Sequence, residues 1–130
     1  MTDREAIEAF ERGEAPGGEF HHADHVRTAF AYLREFRFAK AAEKFCDALQ
    51  RFATARGKPE LYHETITWAH LVLIRERMAR AGHRQEWEEF AVENADLLVW
   101  RGGIVERSYR AATLTSALAR EVFVLPDRAT

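Results

Sequence analysis

The sequence predicts an all-α protein, an irregular bundle of about five to seven helices around a buried central helix over residues 60–81. Three observations carry this. Apolar residues recur at three- and four-residue spacing in segment after segment. No stretch alternates apolar and polar residues convincingly, as a half-buried strand does. Gly and Pro fall between the segments and not inside them. At 130 residues the chain is long enough for a core, and a single domain over 1–130 is expected.

The elements follow in order. Residues 3–12 form a short helix capped by Thr2 or Asp3, with Ala6, Ile7 and Phe10 as its apolar stripe. Residues 14–19 carry Pro16, Gly17 and Gly18 and read as a loop. A second helix runs from His22 to about Phe36, with Val26, Ala29, Phe30 and Leu33 on one face. A third runs from about Ala39 to Ala55 through Ala42, Phe45, Leu49 and Phe52. Arg56-Gly57-Lys58-Pro59 stops it and suits a new start. The fourth helix, Glu60 to Ala81, carries Ile66, Trp68, Ala69, Leu71, Val72, Leu73 and Ile74 in nearly every direction, the pattern of a central helix. A short helix over 84–93 follows, with Trp87, Phe90 and Ala91 inward. Asn94 to Trp100 restarts a turn, and Ile104 to Tyr109 forms another short helix. A last helix capped by Thr113 or Thr115 reaches about Phe123. Helices two, three and four are expected to build the bundle.

Composition bounds the function. Hydrophobic residues at 47%, charged residues at 31% and a net charge of −2, with both signs interspersed, describe an ordinary globular chain. The absence of a basic face argues against nucleic-acid and anionic-membrane partners. No run of about 18 apolar residues and no leader-like start is present, so a cytoplasmic location is expected. Cys46 is the only cysteine, which rules out an intrachain disulfide and a Cys-rich zinc site; it sits beside an apolar stripe, away from any activating group.

The chemistry concentrates in two stretches. The first, His21-His22-Ala23-Asp24-His25-Val26-Arg27, holds three of the six histidines within five residues. The second, Tyr62-His63-Glu64-Thr65-Ile66-Thr67, opens the fourth helix. Side chains three or four residues apart stack on one helical face, so His22 with His25, or His21 with His25, can share one ion. His63 and His70 lie two turns, about 10 Å, apart and cannot both reach it. The expected metal set is therefore His22, His25 and His63, which leaves an open coordination position. Glu64 is the candidate fourth ligand or general base. Asp24 would accept the second ring N–H of a ligating histidine. Tyr62, Thr67 and His70 are expected around the pocket, and Arg27 is a candidate contact for an anionic substrate.

Helix starts disfavour imidazolium and favour carboxylates, which suits this arrangement. Competing patterns fit less well. Glu19-Phe20-His21-His22 and Glu60-Leu61-Tyr62-His63 both read Glu-x-x-His, the unit of di-iron bundles, but the first follows directly on Gly17-Gly18. The signature His-Glu-x-x-His is absent, because His63-Glu64 is followed by Thr67.

His22-x-Asp24-His25-x-Arg27, the Tyr62–Thr67 stretch and the closing Phe123-Val124-Leu125-Pro126-Asp127 together resemble a small, uncharacterised bacterial family of all-helical proteins, over most of the chain. That resemblance implies a compact helical protein whose points of interest are these motifs. More loosely, the chain is similar to the DinB-like metal proteins, which place three histidines in a four-helix bundle; it lacks the His-Arg-Gly-Gln ending of many of them.

Two functions remain in view. One is a small metalloprotein with one divalent zinc or iron ion, which activates water or polarises a small substrate if the protein is an enzyme. The other is a metal-free protein that uses a polar His/Glu pocket for a small ligand, or as an interaction network. The partner is a small-molecule ligand or substrate in either case, with the chain a monomer or a homodimer.

Overall fold

The computed structural model describes residues 1–15 and 18–128, so Pro16 and Gly17 of the expected loop lie outside the described residues. Among those described, every regular element is helical. The chain divides into two compact units, residues 1–62 and 63–130.

In the first unit, α1 (Asp3–Glu11) starts at Thr2, whose hydroxyl accepts the Glu5 N–H while the Glu5 carboxylate accepts the Thr2 N–H. This reciprocal pair satisfies two backbone donors that a helix start otherwise leaves open. Helices α2 (His22–Glu35) and α3 (Phe38–Ala55) match the expected periodicities, and the three helices pack on one another. Their centre is aromatic. Phe10 stacks on Phe45 at 5.8 Å and on Phe52 at 4.9 Å, and Tyr32 meets Phe45 edge-on at 5.6 Å. Rings at such separations add about 0.5–1.5 kcal/mol per pair beyond their buried area. The Tyr32 hydroxyl donates to Glu11 at 2.8 Å; burial first, then that carboxylate, pushes its pKa above the ordinary range. Cys46 is buried on α3. Gly57, at φ +71°, turns the chain after α3 in a conformation that L side chains rarely adopt. A 3₁₀ turn, Pro59–Leu61, follows.

The second unit begins with α4 (Glu64–Arg80), four residues later than expected. Pro59 to Leu61 form the 3₁₀ turn, and Tyr62 and His63 are extended, so the Tyr62–Thr67 stretch straddles a helix cap. Leu71 and Ile74 are fully buried, but Val72 is 46% exposed and Trp68 and Leu73 are half-buried. The apolar girdle of α4 thus has an open side. Next come α5 (Trp87–Glu93), a 3₁₀ turn Ala95–Leu97, α6 (Ile104–Ser108), α7 (Ala111–Leu114) and α8 (Ala117–Glu121). These raise the described helices to eight, three of them only four or five residues long.

The expected last helix is shorter, α8 being capped by Ser116 in place of Thr113 or Thr115, and a separate turn, α7, precedes it. The Thr115 hydroxyl donates back to the Ala111 carbonyl at 3.1 Å, and Ser116 restarts the chain by accepting the Ala119 N–H. Short hydroxyl side chains compete with the backbone in this way. Helix α4 packs on α6 and α8, with Ala69, Val105 and Tyr109 buried together beside Leu73, Ile104 and Leu114. Gly103 is fixed by space, since a Cβ there would stand 2.1 Å from the Val99 carbonyl oxygen. Arg77 of α4 forks onto Asp96 at 2.9 and 2.8 Å and also reaches Asn94. None of the described helices is long and apolar enough to cross a membrane.

Candidate functional site

The first histidine stretch caps α2. His21 is the N-cap, and its backbone N–H donates to the Asp24 carboxylate at 2.9 Å. Asp24 is thus held by the helix start, where negative charge is favoured, in place of the expected role behind a ligating histidine. The His21 ring is exposed and stands 3.4 Å from Glu19. His22 and His25 lie one turn apart, with ring centres separated by 6.4 Å and planes 22° apart. His25 also packs on Phe20 at 4.5 Å.

Arg27 differs from its expected role. It donates to Asp3 at 2.9 Å and to the Met1 carbonyl, and Asp3 also pairs with Arg34 at 3.0 Å. Asp3 and both guanidiniums are largely shielded from water. Arg27 therefore ties the start of α1 to α2. Removing a partner from such a shielded pair leaves charge uncompensated, which is a structural liability and not an anion site.

His21 and His25 face an open pocket of about 470 Å³ within the first unit. Phe20, Phe52 and Leu49 supply apolar lining, and Glu19, Arg56 and Lys58 supply charge. The Arg56 guanidinium lies over the Phe52 ring, 4.4 Å from its centre, and donates to the carbonyls of Gly18 and Gly13 at 3.3 and 3.1 Å. Among the described residues no carboxylate pairs with Arg56 or Lys58. In the sequence Arg56-Gly57-Lys58-Pro59 shows the pattern of a helix stop. A second signal was present there: two cations flank a glycine that turns the chain right after an aromatic-rich helix.

The second stretch is used differently. His63 is the N-cap of α4. Its Nδ1 accepts the Ile66 N–H at 3.1 Å, which puts the ring proton on Nε2, and Nε2–H donates to the Leu114 carbonyl at 2.8 Å. Both ring nitrogens are engaged, and a metal on either would displace one of these bonds. Thr65 is fully buried; its hydroxyl donates to Val122 O at 2.7 Å and accepts the Val124 N–H at 3.0 Å. Thr67 is buried in the first turns of α4, and Glu64 occupies the first helical position. His70 Nδ1–H donates to the Ile66 carbonyl at 2.9 Å, and its ring sits 6.4 Å from Trp100. Tyr62 closes the 3₁₀ turn of the first unit, half-buried.

The closing Phe123–Asp127 segment completes this arrangement. Tyr109 donates its hydroxyl to Val124 O at 2.7 Å. Asp127 accepts the Arg110 N–H at 2.8 Å and the Thr113 hydroxyl. Those two bonds, from Thr113 first, hold the Asp127 carboxyl below its usual range. Thr65, Tyr109 and Asp127 thereby sew the C-terminal segment onto α4, α6 and α7. Sequence reasoning missed Thr65 because a threonine in a helix carries no visible sign of distant backbone partners.

Of the expected metal residues, His22 and His25 belong to the first unit and His63 to the second. Among the described residues, no group of three or more His, Cys, Asp or Glu side chains is gathered so as to hold a metal ion. Comparison with protein-family models, curated proteins and solved structures returns no match to this chain.

Proposed function

We propose that this protein binds a small molecule without a metal, in the pocket beside the start of α2. One observation carries the reading. Two histidines, Arg56 and Lys58 converge on a single cavity of about 470 Å³ with an aromatic lining. That volume is in the range of pockets that enclose small ligands, and the mix of apolar lining with a few polar groups is what such pockets use. The engagement of both His63 nitrogens supports the metal-free form of the reading.

The test is a fragment screen followed in ¹H–¹⁵N spectra of the full chain. Binders that shift the backbone signals of His21, His25 and Gly57 together support the proposal. A diverse library that leaves those signals unmoved overturns it.

A second reading keeps a metal centre. His22 and His25 present their rings on one helical face, 6.4 Å apart, as an i, i+3 pair. They would provide two imidazoles to a divalent zinc or iron ion. Elemental analysis separates the readings. About one metal per chain, lost in His22→Ala and in His25→Ala, would establish this second reading and end the metal-free one.

A further inference from the structure

We infer that the ligand of this pocket is a monoanionic carboxylate on a flat aromatic body; this rests on the small-ligand reading above. Charge, shape and preorganisation lead to it.

The charge of the lining is specific. Arg56 and Lys58 are both without a carboxylate partner among the described residues, whereas Glu19 already faces His21 at 3.4 Å. With histidines counted as neutral, two cations and one carboxylate leave one net positive charge. A carboxylate carries a single negative charge at neutral pH. A phosphate monoester carries close to two. It would overcompensate the lining and face Glu19 as well.

Shape gives the second part. Phe20 and Phe52 meet at 4.8 Å with planes 47° apart, and His25 lies against Phe20 at 4.5 Å. Together they offer ring faces and edges to a flat ligand, which aromatic pairs favour over a perfect sandwich. Leu49 adds apolar surface at the same wall.

Preorganisation gives the third. The Arg56 guanidinium is held on three sides, by the Gly13 and Gly18 carbonyls and by the Phe52 ring beneath it. A guanidinium has five N–H donors in a fixed fork, so donors remain for a carboxylate after the two carbonyls are served. Because it is already fixed, little further ordering is needed on binding. Lys58 is the second cation of the lining and is exposed.

The experiment uses the full chain with 2-naphthoate, its neutral isostere 2-naphthamide and 2-naphthyl phosphate, by calorimetry and ¹H–¹⁵N spectra. The expected result is naphthoate binding at the His21, His25 and Gly57 signals, with naphthamide and naphthyl phosphate each at least about tenfold weaker. Lys58→Gln should weaken naphthoate about tenfold or more while leaving naphthamide unchanged, and Arg56→Gln should weaken naphthoate at least as much. Arg84→Gln, an exposed cation of the second unit, should change neither. Among the described residues the Lys58 side chain makes no hydrogen bond or ion pair, and Lys58→Gln keeps the backbone bonds to Ala53 and Leu61, so the fold is retained even if loss of Arg56 loosens the loop. Equal binding of acid and amide, or indifference to Lys58→Gln, overturns the inference. So does preference for the phosphate. If naphthoate fails while other fragments still move the pocket signals, this inference falls and the small-ligand reading stands. If no fragment moves them, both fall.

Discussion

The His21–Arg27 and Tyr62–Thr67 stretches look alike as chemistry, yet the protein uses them in opposite ways. Both place histidine and carboxylate at the start of a helix. In the first, His21 and His25 line an open pocket, while Asp24 serves the helix start and Arg27 pairs with Asp3. In the second, His63 and Thr65 turn inward and bind four backbone groups between them, those of Ile66, Leu114, Val122 and Val124. Chemically capable residues can serve a ligand only where the backbone does not take their donors and acceptors. Buried polar groups are seldom left over in this way.

The comparison breaks most sharply at the two histidines themselves. His63→Ala should cost about 2–4 kcal/mol, since it removes a helix cap, a buried hydrogen bond to Leu114 and the ring's packing. His25→Ala should cost about 1 kcal/mol or less, because that ring is half-buried at a pocket wall. Denaturant titrations of both variants, with chelator present throughout, measure the gap. His63→Asn refines it: asparagine is a good cap but cannot reach Leu114, so its cost should fall between wild type and His63→Ala. Equal losses at His25 and His63 would remove the distinction drawn here.

Next in size is Thr65→Val, which keeps the shape and deletes the hydroxyl that serves Val122 and Val124. The expected loss is about 1–3 kcal/mol, tempered because both backbone groups are near the surface. Amide exchange should localise it: Val124 should lose protection while α1 to α3 keep theirs.

Much of this fold was legible from the residues. The stripes of α2 and α3, the Thr2 cap and the Gly57 stop are local patterns, and locality is what a sequence displays. The start of α4 was not, because Pro59 to His63 form a turn and an extended cap that the apolar pattern of Ile66 to Ile74 hides. The break at Thr115-Ser116 depended on hydroxyls choosing backbone partners. The candidate site was legible in half. His21 and His25 are visible as a cluster, but Arg56 and Lys58 join them from 31 to 37 residues away by the packing of α3 beside the start of α2. The same long reach hides the duty of His63, whose partner Leu114 lies 51 residues on.

Charge offers a finer contrast, because the Thr65 hydroxyl bonds do not titrate in acid while the Arg77–Asp96 fork does. The Asp96 carboxyl is held below its ordinary value of 3.8, first by its hydrogen bonds from Arg77. A carboxylate whose folded pKa is depressed contributes stability above its unfolded value and loses it as pH falls through the folded one. The second unit should therefore weaken from about pH 3.8 downward, with Asp127 acting in the same sense. Asp96→Asn should flatten that acid limb in a plot of Tm against pH. Its cost at neutral pH should be about 1 kcal/mol or less, since the pair is partly open to water.

The smallest effect concerns His83, the exposed counterpart of His63. His63 uses one ring nitrogen as acceptor and the other as donor. His83 points both nitrogens at acceptors, Glu89 at 3.0 Å and the Ala81 carbonyl at 3.1 Å, an arrangement that only the doubly protonated ring satisfies. Its pKa is accordingly raised above 6.5, with the Glu89 hydrogen bond as the largest cause and the Ala81 carbonyl next. For a raised histidine the sign reverses: the contribution is complete below 6.5 and disappears as pH rises through the folded value. Following the His83 ring protons by NMR should give a midpoint above 6.5, and Glu89→Gln should bring it down while the global unfolding midpoint stays put, because the pair is open to solvent. A midpoint unmoved by Glu89→Gln would mean that the carbonyl of Ala81 alone sets the ring's charge. The donor-and-acceptor rule that separates the two histidine clusters would then need a backbone group, and not a carboxylate, as its strongest case.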